Sequence, residues 1–181
     1  MLKAVIDTSV FIAGFLSRTG NGYSAQIISR WRAGEFQLIM SRQILEEVVG
    51  KLVEKGIDDN LILEFVEVIG KIALNIPGSY IVYRLDDVDP DDNMFLAASQ
   101  EGCADYLVSL DAKHLLPLKH HKGTQIVEPE LFLRALDKEP PPHSMTKDDY
   151  FEKTEEEVFN EEFAKELHAA RQELVGEQRD D

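Results

Sequence analysis

The stretch Val5-Ile6-Asp7-Thr8-Ser9-Val10-Phe11 places one acidic residue between two apolar segments. The short apolar run before Asp7 predicts a buried strand, whereas the apolar positions from Val10 to Leu16 predict a helix. A strand that leads directly into a helix is the first half of a βαβ unit. This stretch therefore predicts an α/β fold with Asp7 at the carboxyl end of its first strand.

The alternation of strand and helix continues along the chain. Further strands are predicted at 36–40, 80–82, 105–109 and 125–127, and helices at 24–33, 42–55, 60–74, 93–101 and 130–136. Strands that alternate with helices imply a central parallel sheet with helices on both faces, which is a three-layer architecture. In such sheets, ligands bind beyond the carboxyl ends of the strands.

The composition changes after residue 136, so we expect a globular domain over residues 1–136 and an appendage. Glu139-Pro140-Pro141-Pro142 predicts a stiff linker over residues 137–145. Residues 146–181 predict an acidic helical tail. Its apolar positions share one helix face at spacings of four, four, three and four residues, and they are Phe159, Phe163, Leu167, Ala170 and Leu174.

The net charge of −15 argues against broad, nonspecific nucleic-acid binding, which requires clustered Lys and Arg. Residues 146–181 contain 13 acidic and 5 basic residues, a net charge of −8, which leaves −7 for residues 1–145. Part of this remainder is consistent with acids gathered at one metal site, where a bound cation reverses the local field.

No apolar run in the sequence approaches the roughly 20 residues that a membrane span needs. The N-terminal segment reaches Asp7 before a signal-peptide core could form, so we expect a cytoplasmic protein without membrane association. The single cysteine, Cys103, excludes an intrachain disulfide and a multi-cysteine zinc site. Its apolar surroundings predict a small core residue rather than a nucleophile.

Acidic residues follow a strand or open a helix at four separate places along the chain. They are Asp7, the pair Glu46 and Glu47, Asp92 and Asp111. Each has an ordinary structural alternative: Asp7 and Asp92 are good helix caps, Asp111 is a good turn residue, and either glutamate could be a solvated helix residue. Their joint occurrence at one sheet edge favours a shared site instead.

Four carboxylates that converge on one edge of a sheet repel one another unless cations hold them. Mg²⁺ and Mn²⁺ prefer carboxylate and water oxygens, and a pair of such ions can promote phosphodiester hydrolysis. The sequence contains neither a G-x-S-x-G nucleophile motif nor a Walker A loop. The pattern therefore predicts metal-dependent chemistry on a phosphodiester.

Four segments resemble, in order, the signature blocks of PIN-domain nucleases. They are Val5 to Phe11, Ser41 to Val48, Asp89 to Ala98 and Ala104 to Leu116. The resemblance covers about residues 2 to 136. It is closest to the bacterial and archaeal branch that is described as toxin components of toxin–antitoxin pairs.

The resemblance implies a PIN-like three-layer fold and a Mg²⁺- or Mn²⁺-dependent endoribonuclease. It implies that the catalytic, metal-holding residues are Asp7, Glu47, Asp92 and Asp111. The family places the second acid six residues after the serine that opens the helix, which from Ser41 selects Glu47 over Glu46. The supporting polar residues implied around the acids are Ser9, Asp89 and Ser109.

The positive groups expected to contact RNA lie mostly in the segment after Asp111. Lys113 and His114 are the foremost candidates, with Arg18 across the site, followed by Lys119, His120, His121 and Lys122. The alternative for each is an ordinary solvated side chain. No aromatic residue lies among them, so the sequence does not predict base stacking.

Two other functions are compatible with parts of this pattern. A phosphoacceptor or phosphatase domain also places acids at the carboxyl edge of a sheet, but it needs paired acids or an Asp-x-Asp motif, and Thr8 and Ser9 follow Asp7. A catalytically silent PIN-fold module that binds metal or a partner stays open as the alternative.

The expected partners are RNA, an antitoxin protein and a second copy of the chain. The resemblance implies a homodimer or a larger homo-oligomer. Apolar positions on the helix at 60–74 exceed what one side of a small sheet needs, and they are Leu61, Phe65, Val66 and Ile69. The alternative is that they fill the core of a monomer.

Overall fold

The computed structural model describes residues 1–139, and the predicted tail at 146–181 and most of the linker lie outside this range. The described strands are β1 (Lys3–Ile6), β2 (Gln37–Ser41), β3 (Leu74–Ile76), β4 (Tyr106–Val108), β5 (His120–His121) and β6 (Thr124–Val127). The described α-helices are α1 (Thr8–Phe15), α2 (Tyr23–Arg32), α3 (Arg42–Glu54), α4 (Asp59–Ile72), α5 (Asn93–Glu101) and α6 (Pro129–Leu136). Single 3-10 turns occur at Pro90–Asp92 and Leu116–Leu118.

The strands form one sheet in the order β3-β2-β1-β4-β6-β5. Val5 in β1 lies between Ile39 of β2 and Leu107 of β4, and all three strands run in the same direction. Strand β5 is the exception, because it pairs antiparallel with β6 across a tight turn. The predicted α/β fold with a mainly parallel central sheet is therefore confirmed.

Both faces of the sheet are covered. Ala4, Val5 and Ile6 are consecutive residues of β1, and none is more than 2% exposed. Successive side chains in a strand point to opposite faces, so a strand without an exposed position is covered on both sides. This burial explains the continuous apolar run in the sequence and agrees with the three-layer PIN-like architecture.

Aromatic side chains join three helices in the core. The ring of Phe65 in α4 packs edge-on against Phe11, Phe15 and Trp31, with centroid distances of 5.2, 5.4 and 6.3 Å. Such edge-to-face packing contributes about 0.5–1.5 kcal/mol per pair beyond the burial of apolar area. These contacts pack α4 against α1 and α2.

The same contacts correct one expectation about assembly. Phe65 is fully buried and Ile69 is 1% exposed, so neither is available to a second subunit. They fill the core because they lie, with Ile62, on the one face of α4 that is buried. Of the other two predicted surface residues, Leu61 is 49% exposed and Val66 is half-buried.

The strand predicted at 80–82 is wrong, because the chain forms β3 earlier, at Leu74–Ile76. Helix α4 ends when Ala73 adopts an extended backbone, and Leu74 then pairs with Ile39 at the open edge of β2. Residues 80–82 have suitable β-branched and aromatic side chains, but no strand within residues 1–139 pairs with them. The available edge of β2, rather than local propensity, decides the position of β3.

The ends of several other elements follow local signals. Helix α5 spans Asn93–Glu101 as predicted and ends at Gly102. The Ser41 hydroxyl accepts a hydrogen bond from the backbone N–H of Ile44 and caps α3 as expected. The helix predicted at 24–33 begins one residue earlier, at Tyr23, and ends at Arg32. Within residues 1–139, no helix has the length and apolar content to cross a membrane.

Candidate metal centre

Strand pairing brings two of the predicted acids to one edge of the sheet. Asp7 directly follows β1 and is the N-cap of α1, while Asp111 lies three residues beyond the end of β4. The backbone N–H of Asp7 donates a 2.9 Å hydrogen bond to the carbonyl of Val108, which continues the β1–β4 ladder to its carboxyl end. Neighbouring parallel strands therefore place both carboxylates at the edge where ligands bind in α/β sheets.

Asp7 is a buried carboxylate held by two serine hydroxyls. Its side chain is almost inaccessible, with 5% of the residue exposed, and its Oδ2 accepts hydrogen bonds from the hydroxyls of Ser109 and Ser9. Burial raises the pKa of Asp7 above its ordinary value, while the two hydroxyls oppose this effect. The charged form is thus poorly solvated but precisely oriented by hydrogen bonds.

The two serines also connect Asp7 to the chain that carries Asp111. The Ser109 hydroxyl accepts a 2.9 Å hydrogen bond from the backbone N–H of Asp111. The Ser9 hydroxyl accepts a 3.2 Å bond from the N–H of Leu110. Ser9 and Ser109 therefore hold the two acids in a fixed relation, in the supporting position that the resemblance implies for them.

Asp92 carries a strongly perturbed carboxyl group. It ends the 3-10 turn before α5, and its side chain is 17% exposed. Burial, followed by the negative charges of Asp89, Asp7 and Asp111, raises its pKa to about 7 against a lowering effect of His114. Asp92 therefore lies within electrostatic reach of an acid of its own turn and of acids from two other parts of the chain.

Asp111 is stabilised as an anion by the turn that follows it. Burial raises its pKa, but backbone N–H groups of Lys113, Leu115 and His114 lower it, and the result lies below the ordinary value. The three N–H groups donate to its carboxylate at 2.8, 3.2 and 3.1 Å. Asp111 consequently has both a turn-forming role and a place in the acidic cluster.

Glu47 and Glu46 have different surroundings on α3. Glu47 is half-buried, and burial raises its pKa, with Thr8 opposing and the charges of Asp7 and Asp91 adding to the shift. The exposed Glu46 forms a 2.7 Å ion pair with Arg42 one helical turn earlier. Of the two, Glu47 is therefore the one that is electrostatically coupled to Asp7.

His114 occupies a place that the sequence did not indicate. It was expected to contact RNA, but its Nδ1 lies 3.3 Å from Asp89, 3.5 Å from Asp92 and 3.4 Å from Asp111. The imidazole is thus among the carboxylates rather than in a separate basic patch. The sequence feature that could have indicated this position is its spacing of three residues from Asp111 in a turn.

Sequence reasoning also missed Thr8, which follows Asp7 at the start of α1. Its hydroxyl lowers the pKa of Glu47, so it contributes to the polar surroundings of the site. The only signal was its position beside Asp7. Asp89, expected as a supporting residue, lies next to Asp92 because the Asp92 N–H donates to the Asp89 carbonyl at 3.2 Å.

The remaining positive candidates divide into exposed and buried groups. Lys113 and Arg18 are exposed, in the segments after Asp111 and after α1. His121 lies in β5 and is only 5% exposed, and burial followed by the charge of Arg84 lowers its pKa to about 4. The expectation that His121 contacts phosphate is therefore wrong, because the ring is buried and uncharged at neutral pH.

The donor set of the site fits a divalent cation. Donor atoms of Asp89, Asp92 and His114 lie within 4.8 Å of one another. The negative charges of Asp89, Asp7 and Asp111 all raise the pKa of Asp92, and a cation would neutralise this concentration of negative charge. Carboxylate oxygens with one imidazole are ordinary ligands of divalent metals.

Comparison with known proteins agrees with this arrangement. The sequence matches the family model of the PIN domain over residues 3–113. This range includes the four acids Asp7, Glu47, Asp92 and Asp111, and it ends one residue before His114. A search of curated proteins found no match. The family match spans more than half of the 181 residues. The chain therefore belongs to the PIN-domain family, whose members are in general metal-dependent nucleases.

Proposed function

We propose that the protein is a Mg²⁺- or Mn²⁺-dependent endoribonuclease and that residues 1–136 are its catalytic domain. In this proposal the metal-holding and catalytic residues are Asp7, Glu47, Asp92 and Asp111. The observation that carries the proposal is the environment of Asp92, whose pKa is raised to about 7 by burial and by the charges of Asp89, Asp7 and Asp111. A fold that keeps these groups together without a cation holds them against their mutual repulsion.

The protein's own residues prepare the site for a cation. Ser109 and Ser9 orient the buried carboxylate of Asp7, and three backbone N–H groups hold that of Asp111. This preorganisation reduces the entropy lost when the ligands gather around an ion. When bound, a divalent cation supplies activation of a water molecule and neutralisation of charge on the phosphodiester.

RNA recognition is assigned in this proposal to exposed positive groups beside the acids. Lys113 is exposed two residues after Asp111, and Arg18 is exposed in the loop after α1. Each phosphate contact by such a group makes affinity dependent on salt concentration. RNA rather than DNA is proposed because the resemblance is closest to the toxin branch of the family.

The first experiment measures cleavage of single-stranded RNA and of DNA of the same sequence by the full chain with Mg²⁺, Mn²⁺ or EDTA. We expect chelator-sensitive RNA cleavage, which Asp7→Asn lowers about 100-fold or more without loss of folding. Asp87→Asn is the matched control, because Asp87 is exposed and belongs to the same acidic loop as Asp89.

The outcomes of this experiment separate three functions. Cleavage of DNA in preference to RNA would contradict the substrate but preserve the nuclease. No cleavage in either cation, by a folded protein that still binds metal, would favour the catalytically silent PIN-fold module. Equal activity of Asp7→Asn and the wild type would contradict the proposed role of the acidic cluster.

We further propose that the enzyme acts in the cytoplasm as the toxin of a toxin–antitoxin pair and forms a homodimer. Induced expression is expected to arrest growth, and Asp7→Asn is expected to relieve the arrest. Light scattering at micromolar concentration tests the dimer, for which the exposed Leu61 and Leu63 of α4 are available apolar contacts. A growth-neutral wild-type protein with confirmed nuclease activity would argue against the toxin role alone.

A further inference from the structure

The imidazole of His114 faces a centre that it shares with three carboxylates. Its Nδ1 lies 3.3 Å from Oδ2 of Asp89, 3.4 Å from Oδ2 of Asp111 and 3.5 Å from Oδ2 of Asp92. One ring N–H can be directed well at one acceptor, and such bonds are about 2.7–3.2 Å long. Three nearly equal and longer distances are instead the geometry of a nitrogen that points between the oxygens.

Two segments of the chain bring these donors together. Asp89 and Asp92 are linked by the turn before α5. His114 comes from the turn after β4, where its backbone N–H donates a 3.1 Å hydrogen bond to the carboxylate of Asp111. The donor atoms of Asp89, Asp92 and His114 lie within 4.8 Å of one another. Two donors opposite each other on one ion are about 4.0–4.6 Å apart at ordinary bond lengths of about 2.0–2.3 Å, so little movement is needed.

The surroundings of Asp7 differ in their chemistry. Its carboxylate is contacted by the hydroxyls of Ser9 and Ser109, so the donors at that end of the cluster are oxygen atoms. At the end formed by Asp89 and Asp92, a nitrogen donor joins two carboxylates. The two ends of the acidic cluster therefore present different kinds of ligand atom.

We propose that Asp89, Asp92 and His114 form a mixed nitrogen and oxygen site that binds Mn²⁺ in preference to Mg²⁺. The inference rests on the proposed metal-dependent function and assigns His114 as a metal ligand rather than an RNA contact. Mg²⁺ is a hard cation that retains water and favours oxygen ligands. Imidazole binds transition-metal cations more readily, and affinity for a given site rises from Mn²⁺ through the later divalent ions.

The decisive measurement is pulsed electron paramagnetic resonance of Mn²⁺ bound to the full chain. We expect modulation of the electron spin echo by a directly bound ¹⁴N nucleus. Protein labelled with ¹⁵N-histidine is expected to show the ¹⁵N pattern in its place. The His114→Gln variant is expected to lose the modulation, whereas the control His120→Gln, on β5, is expected to retain it.

Metal titrations provide a second readout that does not depend on cleavage. His114→Gln is expected to weaken Mn²⁺ binding about tenfold or more, since even groups outside the coordination shell typically contribute that much. Mg²⁺ binding should change less, so the preference for Mn²⁺ should shrink. Asp89→Asn is expected to weaken Mn²⁺ binding, and the exposed neighbour Asp87→Asn is its matched control.

The possible results separate this inference from the proposed function. Mn²⁺ that binds the wild-type chain without nitrogen modulation would overturn the inference and leave a metal-dependent nuclease of oxygen ligands. Failure of Mn²⁺ to bind a folded chain would overturn both. Circular dichroism checks the folding of each variant, and the wild-type spectrum decides the matter even where a variant does not fold.

Discussion

The Ser109 hydroxyl donates a 2.6 Å hydrogen bond to the carboxylate of Asp7, which lies 102 positions earlier in the chain. Both residues are buried at the carboxyl ends of neighbouring strands, β4 and β1. The same hydroxyl accepts from the backbone N–H of Asp111 at 2.9 Å. One buried serine therefore couples the orientation of two acids of the metal centre.

Removal of this hydroxyl should shift the pH dependence of cleavage. Ser109→Ala deletes a hydrogen bond that stabilises the charged form of Asp7, so its pKa should rise further. Because cations bind the ionised carboxylate, the acidic limb of the pH–rate profile should move to higher pH. The loss of a bond to a charged group should also lower the free energy of unfolding by about 1–3 kcal/mol.

Ser9→Ala is the matched comparison, since Ser109 has the larger effect of the two hydroxyls on the pKa of Asp7. Its shift of the acidic limb should be in the same direction and smaller. An unchanged pH–rate profile in Ser109→Ala, at saturating Mn²⁺, would contradict this account of Asp7.

The stability of the metal-free protein should fall as pH rises from about 4 to about 7. The folded-state pKa of Asp92 is about 7 and its ordinary value is 3.8, so between these two pH values the folded protein holds a proton that the unfolded chain has already released. A group that is protonated only in the folded state loses its contribution as pH rises through its folded pKa. Asp7 and Glu47, whose pKa values are also raised, act in the same direction.

Asp92→Asn should therefore flatten the dependence of the melting temperature on pH. A change of 1 kcal/mol in a protein of this size moves the midpoint by about 2–4 °C. Added Mn²⁺ should restore wild-type stability most strongly above pH 7, because the cation neutralises the ionised carboxylates. Equal pH dependence in Asp92→Asn and in the wild type, both measured in EDTA, would rule out this role for Asp92.

The adjacent glutamates of α3 can be compared to test which of them is the second acid of the site. Glu47→Gln should lower RNA cleavage about tenfold or more, because Glu47 is half-buried and electrostatically coupled to Asp7. Glu46→Gln should stay within about twofold of the wild type, because Glu46 is exposed and pairs with Arg42. The opposite order of effects, in single-turnover assays at saturating Mn²⁺, would assign the second acid to Glu46.

Deletion of the acidic C-terminal segment should raise RNA cleavage. Residues 146–181 carry a net charge of −8, which opposes the approach of a polyanion and can compete for the exposed Lys113 and Arg18. The shortened chain should end at Glu139 rather than at Leu136. Asp137 forms a bidentate pair with Arg30, at 2.6 and 3.0 Å, which a shorter chain would lose.

The comparison requires cleavage rates and oligomeric mass for the full chain and for residues 1–139. Raised activity at unchanged mass would indicate an inhibitory segment, and a lost dimer would indicate an assembly arm. Unchanged activity and unchanged mass would exclude both the inhibitory role and the assembly role and would leave the segment as a charged extension.

The sequence by itself was sufficient for features that depend on near neighbours. The apolar run that ends at Asp7, the cap at Ser41 and the stop of α5 at Gly102 all occur where they were predicted. Apolar periodicity, caps and glycine termini act within a few residues, so they can be read without knowledge of the fold. The parallel direction of most strands also followed from their alternation with helices.

The tertiary structure alone decided what depends on distant partners. Strand β3 forms at Leu74–Ile76, rather than at the β-prone residues 80–82, because the open edge of β2 pairs with it. The identity of His114 says nothing of its position among Asp89, Asp92 and Asp111, because two turns from separate segments create that position. Burial and long-range electrostatics are properties of the folded chain, so local sequence determines which groups are present and tertiary packing determines which of them act together.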